Sequence, residues 1–211
     1  MADCCADKSC ALEKLQERQS STLKIVLAIN AVMFIVVLAA GLYASSSALL
    51  ADSLDNLGDA LTYGLSLYAV GRSERAKGMV SMFKGTLILA AALFVIGQIG
   101  YKLLHPGVPL FETMGAVGAL ALAANGTCLA LLSKHRQEDV NMASVWECSR
   151  NDIAGNVAVL LAAAAVWLFG SAWPDLLIGS LLAVLFLRSA VRVFRASFGA
   201  LRVASAKTEA S

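Results

Sequence analysis

Six apolar stretches, each long enough to cross a lipid bilayer, constrain this chain more than any other feature of its sequence. They cover roughly residues 23–44, 46–70, 80–103, 113–132, 142–169 and 174–194. A spanning helix needs about 20 predominantly apolar residues, and in lipid it must satisfy its own backbone polar groups. The chain is 58% hydrophobic and only 15% charged, unlike a typical soluble domain. We therefore expect an all-α membrane protein with six transmembrane helices.

The distribution of lysine and arginine predicts the orientation of these helices. All of the 17 basic residues except Lys102 and Arg150 flank the stretches on one side. By the positive-inside rule that side is cytoplasmic, so both termini are cytoplasmic. We expect a cytoplasmic N-terminal tail with cysteines at 1–20, a six-helix membrane domain at 21–195 and a short cytoplasmic tail at 196–211. Because the basic residues are explained by the membrane flanks, nothing indicates nucleic-acid binding.

The second stretch carries three acidic residues, Asp52, Asp55 and Asp59. Ionisable side chains inside a membrane are costly and usually functional. Residues three, four and seven apart lie on one face of a helix, so these carboxylates share a face. The spacing predicts a functional site within the membrane.

The fifth stretch offers a second pair, Cys148 and Asp152, four residues apart on one face. At 1.5 Å per residue, Asp55 lies about 14 Å and Asp59 about 20 Å from the outer surface. Cys148 lies about 9 Å and Asp152 about 15 Å from the cytoplasmic surface. In a hydrocarbon core about 30 Å thick, Asp55 is then level with Asp152 and Asp59 with Cys148.

Three carboxylates and one thiolate suit a tetrahedral divalent ion, so the predicted metal ligands are Asp55, Asp59, Cys148 and Asp152. Sulfur favours zinc and softer ions over magnesium or calcium, with cadmium next and cobalt or iron(II) as further candidates. Asp52 lies one turn outward and is interpreted as a proton relay or an outer waypoint.

Several other polar residues could bind metal, stabilise the fold or line a pathway. Cys4, Cys5 and Cys10 either bind a thiophilic metal or are free thiols of a tail, since an odd number of cysteines argues against a disulfide framework. Asp175 is interpreted as structural, at the positive end of the sixth helix. Four asparagines could bond between helices or line a pathway: Asn30, Asn56, Asn125 and Asn156.

The same residues resemble a known family. The segment from Ser46 to Asp55, followed by Asp59, is similar to the second-helix motif of cation diffusion facilitators, where a His or Asp and an Asp stand four apart after an Ala-Asp. Cys148 to Asp152 resembles the fifth-helix motif His-x-x-x-Asp, with cysteine in place of the usual histidine. The six-helix layout is also similar, over about residues 20–195.

This resemblance implies a divalent metal efflux transporter, not an enzyme, which exchanges zinc, and also cadmium, for protons by alternating access. The ligand roles would fall on Asp55, Asp59 and Asp152. Metal needs deprotonated ligands, so binding releases protons from clustered carboxylates. No resident cofactor is expected. The chain resembles a short form without the family's cytoplasmic C-terminal domain, so a homodimer would form through its membrane helices. The expected location is the bacterial inner membrane.

Two other functions are compatible with the same residues: a membrane enzyme and an exporter of organic cations. Gly58-Asp59 matches the two-residue dyad of intramembrane aspartyl proteases, and the spaced aspartates could serve a metal-dependent membrane transferase, although the companion motifs of both are missing. A proton-coupled exporter of organic cations is the other alternative. Substrate turnover without ion flux would favour an enzyme.

Overall fold

The computed structural model describes the backbone of residues 4–69, 74–133 and 140–209. Side chains are described for 24–64, 85–133 and 152–192, and for Met79, Met82, Phe83, Phe194 and Arg195. Six helices make up these ranges, with no strand among them: α1 (Cys4–Tyr43), α2 (Ser47–Ala69), α3 (Glu74–Leu104), α4 (Phe111–Ser133), α5 (Val140–Phe169) and α6 (Trp173–Glu209). The predicted all-α, six-helix fold is confirmed.

Five of the helices contain segments that are long and apolar enough to span a membrane: Lys24–Tyr43, Gly85–Leu104, Phe111–Ser133, Asp152–Phe169 and Trp173–Arg192. The helix outside this set is α2, whose 23 residues are sufficient in length but include the three aspartates. The five other helices, and not α2, therefore identify the chain as a multi-pass membrane protein. The cytoplasmic placement of the termini stays a prediction.

Helix α2, which carries the three aspartates, is enclosed by other helices of the bundle. It contacts α1, α3, α5 and α6, and every residue from Ser46 to Leu54 is buried. A polar side chain facing other helices avoids the cost that it would meet against lipid. The position of α2 within the bundle thus explains how a membrane domain accommodates its acids.

Close backbone approach holds α2 against two other helices. A Cβ added at Gly179 of α6 would lie 2.7 Å from the Ser47 backbone, and one added at Gly41 of α1 would lie 3.0 Å from the Leu50 nitrogen. Small residues permit such contacts between membrane helices.

Helices α1 and α6 extend into both predicted tails. The α1 backbone runs without a break from Cys4, and α6 continues to Glu209. No proline or glycine occurs before Gly41, so nothing in the N-terminal sequence interrupts a helix. The side chains of these extensions lie outside the described residues.

The direction of α5 relative to α2 follows from the short connections. Asp175, at the start of α6, contacts the start of α2, so these two helices begin at the same end of the bundle. Because α5 ends at Phe169, just before α6 begins, its C-terminal end lies at the N-terminal end of α2. Helices α2 and α5 are therefore antiparallel, as the predicted alignment of Asp55 with Asp152 requires.

Candidate metal centre

Helix α2 carries two polar stripes that differ in burial. Asp52 and Asn56, four residues apart, are 3% and 0% exposed. Asp55 and Asp59, also four apart, are partly buried. The i, i+4 spacing of a helix separates the two pairs onto adjacent stripes of one face. Two of the predicted ligands, Asp55 and Asp59, thus occupy the less buried stripe. The least exposed acid of α2 is Asp52.

Helix α5 repeats the same pattern. Asp152 is partly buried, and Asn156, four residues later, is 0% exposed. Helices α2 and α5 contact each other, and the charges of Asp52 and Asp152 lie close enough to interact. An acid of α2 therefore interacts with an acid of α5, although the sequence predicts that Asp55, and not Asp52, is level with Asp152. The pairing of Asp55 with Asp152 stays a prediction.

The complete set of four predicted ligands is not defined by the described side chains. Within the described residues, no three His, Cys, Asp or Glu side chains are grouped so that they could hold a metal ion. The Cys148 side chain lies outside those residues, as do the side chains of Cys4, Cys5 and Cys10. The backbone places Cys148 on α5, one turn before Asp152. The assignment of Asp55, Asp59, Cys148 and Asp152 stays a prediction.

Two asparagines, Asn56 and Asn156, bond to their own helices through the side-chain nitrogen. The Asn56 Nδ2 donates to the Asp52 carbonyl at 3.4 Å, and the Asn156 Nδ2 donates to the Asp152 carbonyl at 3.0 Å. Both amide oxygens are buried without a hydrogen-bond partner, as is Oδ2 of Asp52. The repeated spacing Asp-x-x-x-Asn in α2 and α5 is the sequence signal that would have identified this pair.

A second polar group, which we call the Asp175 network, lies where α2 begins and comprises Ser46, Ser47, Lys102 and Asp175. The Asp175 Oδ1 accepts from Ser46 Oγ at 2.6 Å and from the Ala48 amide at 3.0 Å, and its Oδ2 accepts from the Ser47 amide at 2.7 Å. An acid in this position satisfies amides that the first turn of α2 would otherwise leave unpaired. The structural interpretation of Asp175 agrees with these contacts, although the helix that it caps is α2.

Lys102 completes the Asp175 network from α3. Its Nζ lies 3.8 Å from the Asp175 carboxylate and donates to the Ser45 carbonyl and to Ser47 Oγ at 3.1 Å. Lys102 is the basic residue that the charge distribution predicts on the outer side. Its contacts supply a reason for that position, because it balances a buried carboxylate.

A third polar group joins α1 and α4. The Asn30 Nδ2 donates to the Val26 carbonyl at 2.9 Å and lies 3.7 Å from the Cys128 sulfur. Asn125, one turn before Cys128, is buried with its amide nitrogen unpartnered. This group contains no carboxylate, so it is a poorer cation site than the α2–α5 interface.

Comparison with known families identifies one match that covers most of the chain. The family model described as the cation efflux transmembrane domain matches residues 23–201. This range includes all six helices apart from the first part of α1 and the end of α6.

Curated relatives are similar at low identity. The zinc transporter ZitB of Yersinia pestis is 29% identical over 197 residues, covering 87% of this chain and 63% of that protein. The metal cation efflux system protein CzcD of Cupriavidus metallidurans is 24% identical, covering 73% of this chain and 52% of CzcD. A cadmium, cobalt and zinc/H(+)-K(+) antiporter of Bacillus velezensis is 23% identical, covering 74% and 55% respectively. The chain thus spans between half and two thirds of the length of these relatives.

Proposed function

This chain belongs to the cation efflux family, and we propose that it exports divalent metal ions, zinc first and cadmium second, in exchange for protons. The observation that carries this proposal is the contact between the antiparallel helices α2 and α5, which bring the two acidic motifs together inside an apolar bundle, with the charges of Asp52 and Asp152 near enough to interact. A pair of acids in such surroundings repels itself unless a cation or protons compensate the charge. Binding and releasing a cation there is the function that this arrangement favours.

The proposed ligands of the transported ion are Asp55, Asp59, Cys148 and Asp152. Asp55 and Asp59 lie on the stripe of α2 beside Asp52, and Cys148 precedes Asp152 by one turn of α5. A thiolate among carboxylates favours zinc and cadmium over magnesium. The relatives named for zinc, cadmium and cobalt support the same range of ions.

Proton exchange follows from the chemistry of the same ligands. Carboxylates that are clustered in a water-poor interior hold protons while the site is empty, and metal replaces those protons on binding. One of the relatives carries H(+) in its name, which supports an antiport mechanism. Alternating access would then open the α2–α5 site to each side in turn.

The function is tested with the purified chain in liposomes that contain a zinc-sensitive dye and a pH-sensitive dye. We expect zinc entry coupled to proton movement in the opposite direction, with cadmium also transported. An organic cation that moves protons while zinc does not would favour the drug-exporter alternative. Turnover of a peptide or lipid substrate without any ion flux would favour a membrane enzyme.

Two further parts of the proposal concern assembly and the N-terminal cysteines. We propose a homodimer formed through membrane helices, which light scattering of the detergent-solubilised protein would detect as twice the 22.1 kDa chain mass. Cys4, Cys5 and Cys10 are proposed to capture a thiophilic metal before transport. Replacing all three with serine should then slow uptake at low metal concentration and leave the maximal rate unchanged.

A further inference from the structure

Helices α2 and α5, which contact each other, carry three buried oxygen atoms without hydrogen-bond partners. They are Oδ2 of Asp52, Oδ1 of Asn56 and Oδ1 of Asn156, from residues that are 3%, 0% and 0% exposed. A buried polar group without a partner destabilises a folded protein. Three such atoms on two contacting helices therefore require an explanation that packing alone does not supply.

The orientation of the two amides is fixed by their nitrogen atoms. A backbone carbonyl can only accept, so the atom facing the Asp52 carbonyl must be the Asn56 nitrogen, and the same holds for Asn156 at Asp152. The amide oxygens are consequently turned away from these carbonyls. Neighbouring hydroxyl groups behave differently, because Ser53 and Thr62 donate to carbonyls of their own helix at 2.7 and 2.6 Å.

Each asparagine amide is directed back toward the aspartate that precedes it on its own helix. The asparagine lies one turn, about 6 Å, after that aspartate. Each amide points toward the N-terminal end of its helix, as its bond to the carbonyl four residues earlier requires. The charges of the two aspartates, Asp52 and Asp152, interact across the contact between α2 and α5.

The three unpartnered atoms are all oxygen. One carboxylate and two amide oxygens are typical ligands of hard cations, which retain water in their remaining positions. Sulfur, by contrast, belongs to the proposed zinc ligands through Cys148. The two sets differ in chemistry even though both lie between α2 and α5.

We propose that Asp52, Asn56 and Asn156 form a second divalent-cation position, composed of oxygen ligands and adjacent to the zinc ligands. It binds Mn²⁺ and similar hard ions with part of their hydration shell. As a step on a transport path, this position rests on the proposed function. As a binding position it stands independently, and it is tested without transport.

Asparagine substitutions separate a ligand from a helix-bonding residue. Asn156→Leu removes both the oxygen and the donor, whereas Asn156→Asp keeps an oxygen in place and removes the donor to the Asp152 carbonyl. If the oxygen binds the ion, Asn156→Asp retains Mn²⁺ binding and Asn156→Leu weakens it by about tenfold or more. If the residue serves only to bond the helix backbone, both variants change together. Asn125→Leu is the matched control, since Asn125 is a buried asparagine of α4 outside this interface.

The measurement is Mn²⁺ binding to the detergent-solubilised chain, followed by electron paramagnetic resonance of the free ion. Thermal unfolding of each variant confirms that it is folded, and Asn56→Asp with Asn56→Leu provides a second pair if Asn156→Leu does not fold. Retained binding in the aspartate variants and in Asn125→Leu, with weakened binding in the leucine variants, supports the proposal. Unchanged affinity in a folded leucine variant, equal losses in both members of a pair, or no Mn²⁺ binding by the parent chain overturns it. Zinc transport in liposomes is scored separately, so failure of one proposal does not imply failure of the other.

Discussion

Two buried aspartates of this bundle are treated in opposite ways. Asp175 is 1% exposed and is surrounded by a hydroxyl, two backbone amides and the Lys102 ammonium group. Asp52 is 3% exposed, yet one of its oxygens has no partner and its charge interacts with that of another acid. Burial of a charge is tolerated when the protein supplies compensating groups. The comparison indicates that Asp175 serves the fold, and it supports the proposal that a bound cation completes the surroundings of Asp52.

The strongest test removes a proposed ligand of the transported ion. We expect Asp152→Ala, and separately Asp55→Ala, to reduce zinc uptake into liposomes by at least about 100-fold, because a carboxylate that binds the ion is lost. Both variants should remain folded, as judged by thermal unfolding. Full uptake in either folded variant would refute the ligand assignment.

The second test applies one chemical change to the structural acid. Asp175→Asn should lower the free energy of unfolding by about 2–3 kcal/mol, because an amide cannot accept at both atoms and leaves donors of α2 and Lys102 unsatisfied. Chemical unfolding in mixed detergent micelles provides the measurement. A variant as stable as the parent chain would remove the distinction drawn between the two aspartates.

The same change at Asp52 is expected to act on function and not on stability. Asp52→Asn removes a charge that has incomplete compensation, so the unfolding midpoint should be unchanged or higher. Zinc uptake should fall by about tenfold, since one of the two interacting carboxylate charges of Asp52 and Asp152 is lost. Loss of stability comparable with that of Asp175→Asn would show that Asp52 is also structural.

The smallest expected effect concerns metal preference. Cys148→His should retain zinc uptake and reduce the ratio of cadmium to zinc uptake several-fold, because an imidazole replaces the softer thiolate. Uptake of both ions from equal concentrations gives the ratio directly. If the ratio does not change, Cys148 is not a ligand.

Much of the site could be anticipated from spacing alone. Counting residues along two antiparallel helices brings Asp152 near the acids of α2, with Asp55 level with it. The interaction of Asp152 is with Asp52, one turn outward, and the alignment with Asp55 stays a prediction. The roles proposed for Asn56 and Asn156 could not be predicted from the sequence, because an isolated asparagine in a membrane helix does not indicate a ligand. Their roles depend on which atoms face the neighbouring helix, and this requires the packed bundle.

The fold was predictable for a similar reason and to a similar extent. Hydropathy is a local property, so it located the six helices, and the bounds predicted for α2, α4 and α5 lie within two residues of the observed ones. It did not predict that α1 would begin at Cys4, because the polar residues before the first span suggested a tail. It also did not identify Gly41 and Gly179 as contact points, since close approach involves residues distant in sequence.

The sequence by itself determined the six helices, the shared face of the acids on α2 and the matching pair on α5, because hydropathy and helical periodicity are properties of neighbouring residues. Only the tertiary structure decided which buried acid receives partners. The groups that satisfy Asp175 lie up to 129 positions away in the chain, and the helices that enclose Asp52 meet only after packing. Compensation of a buried charge is a property of the assembled bundle, and no local pattern in the sequence specifies it.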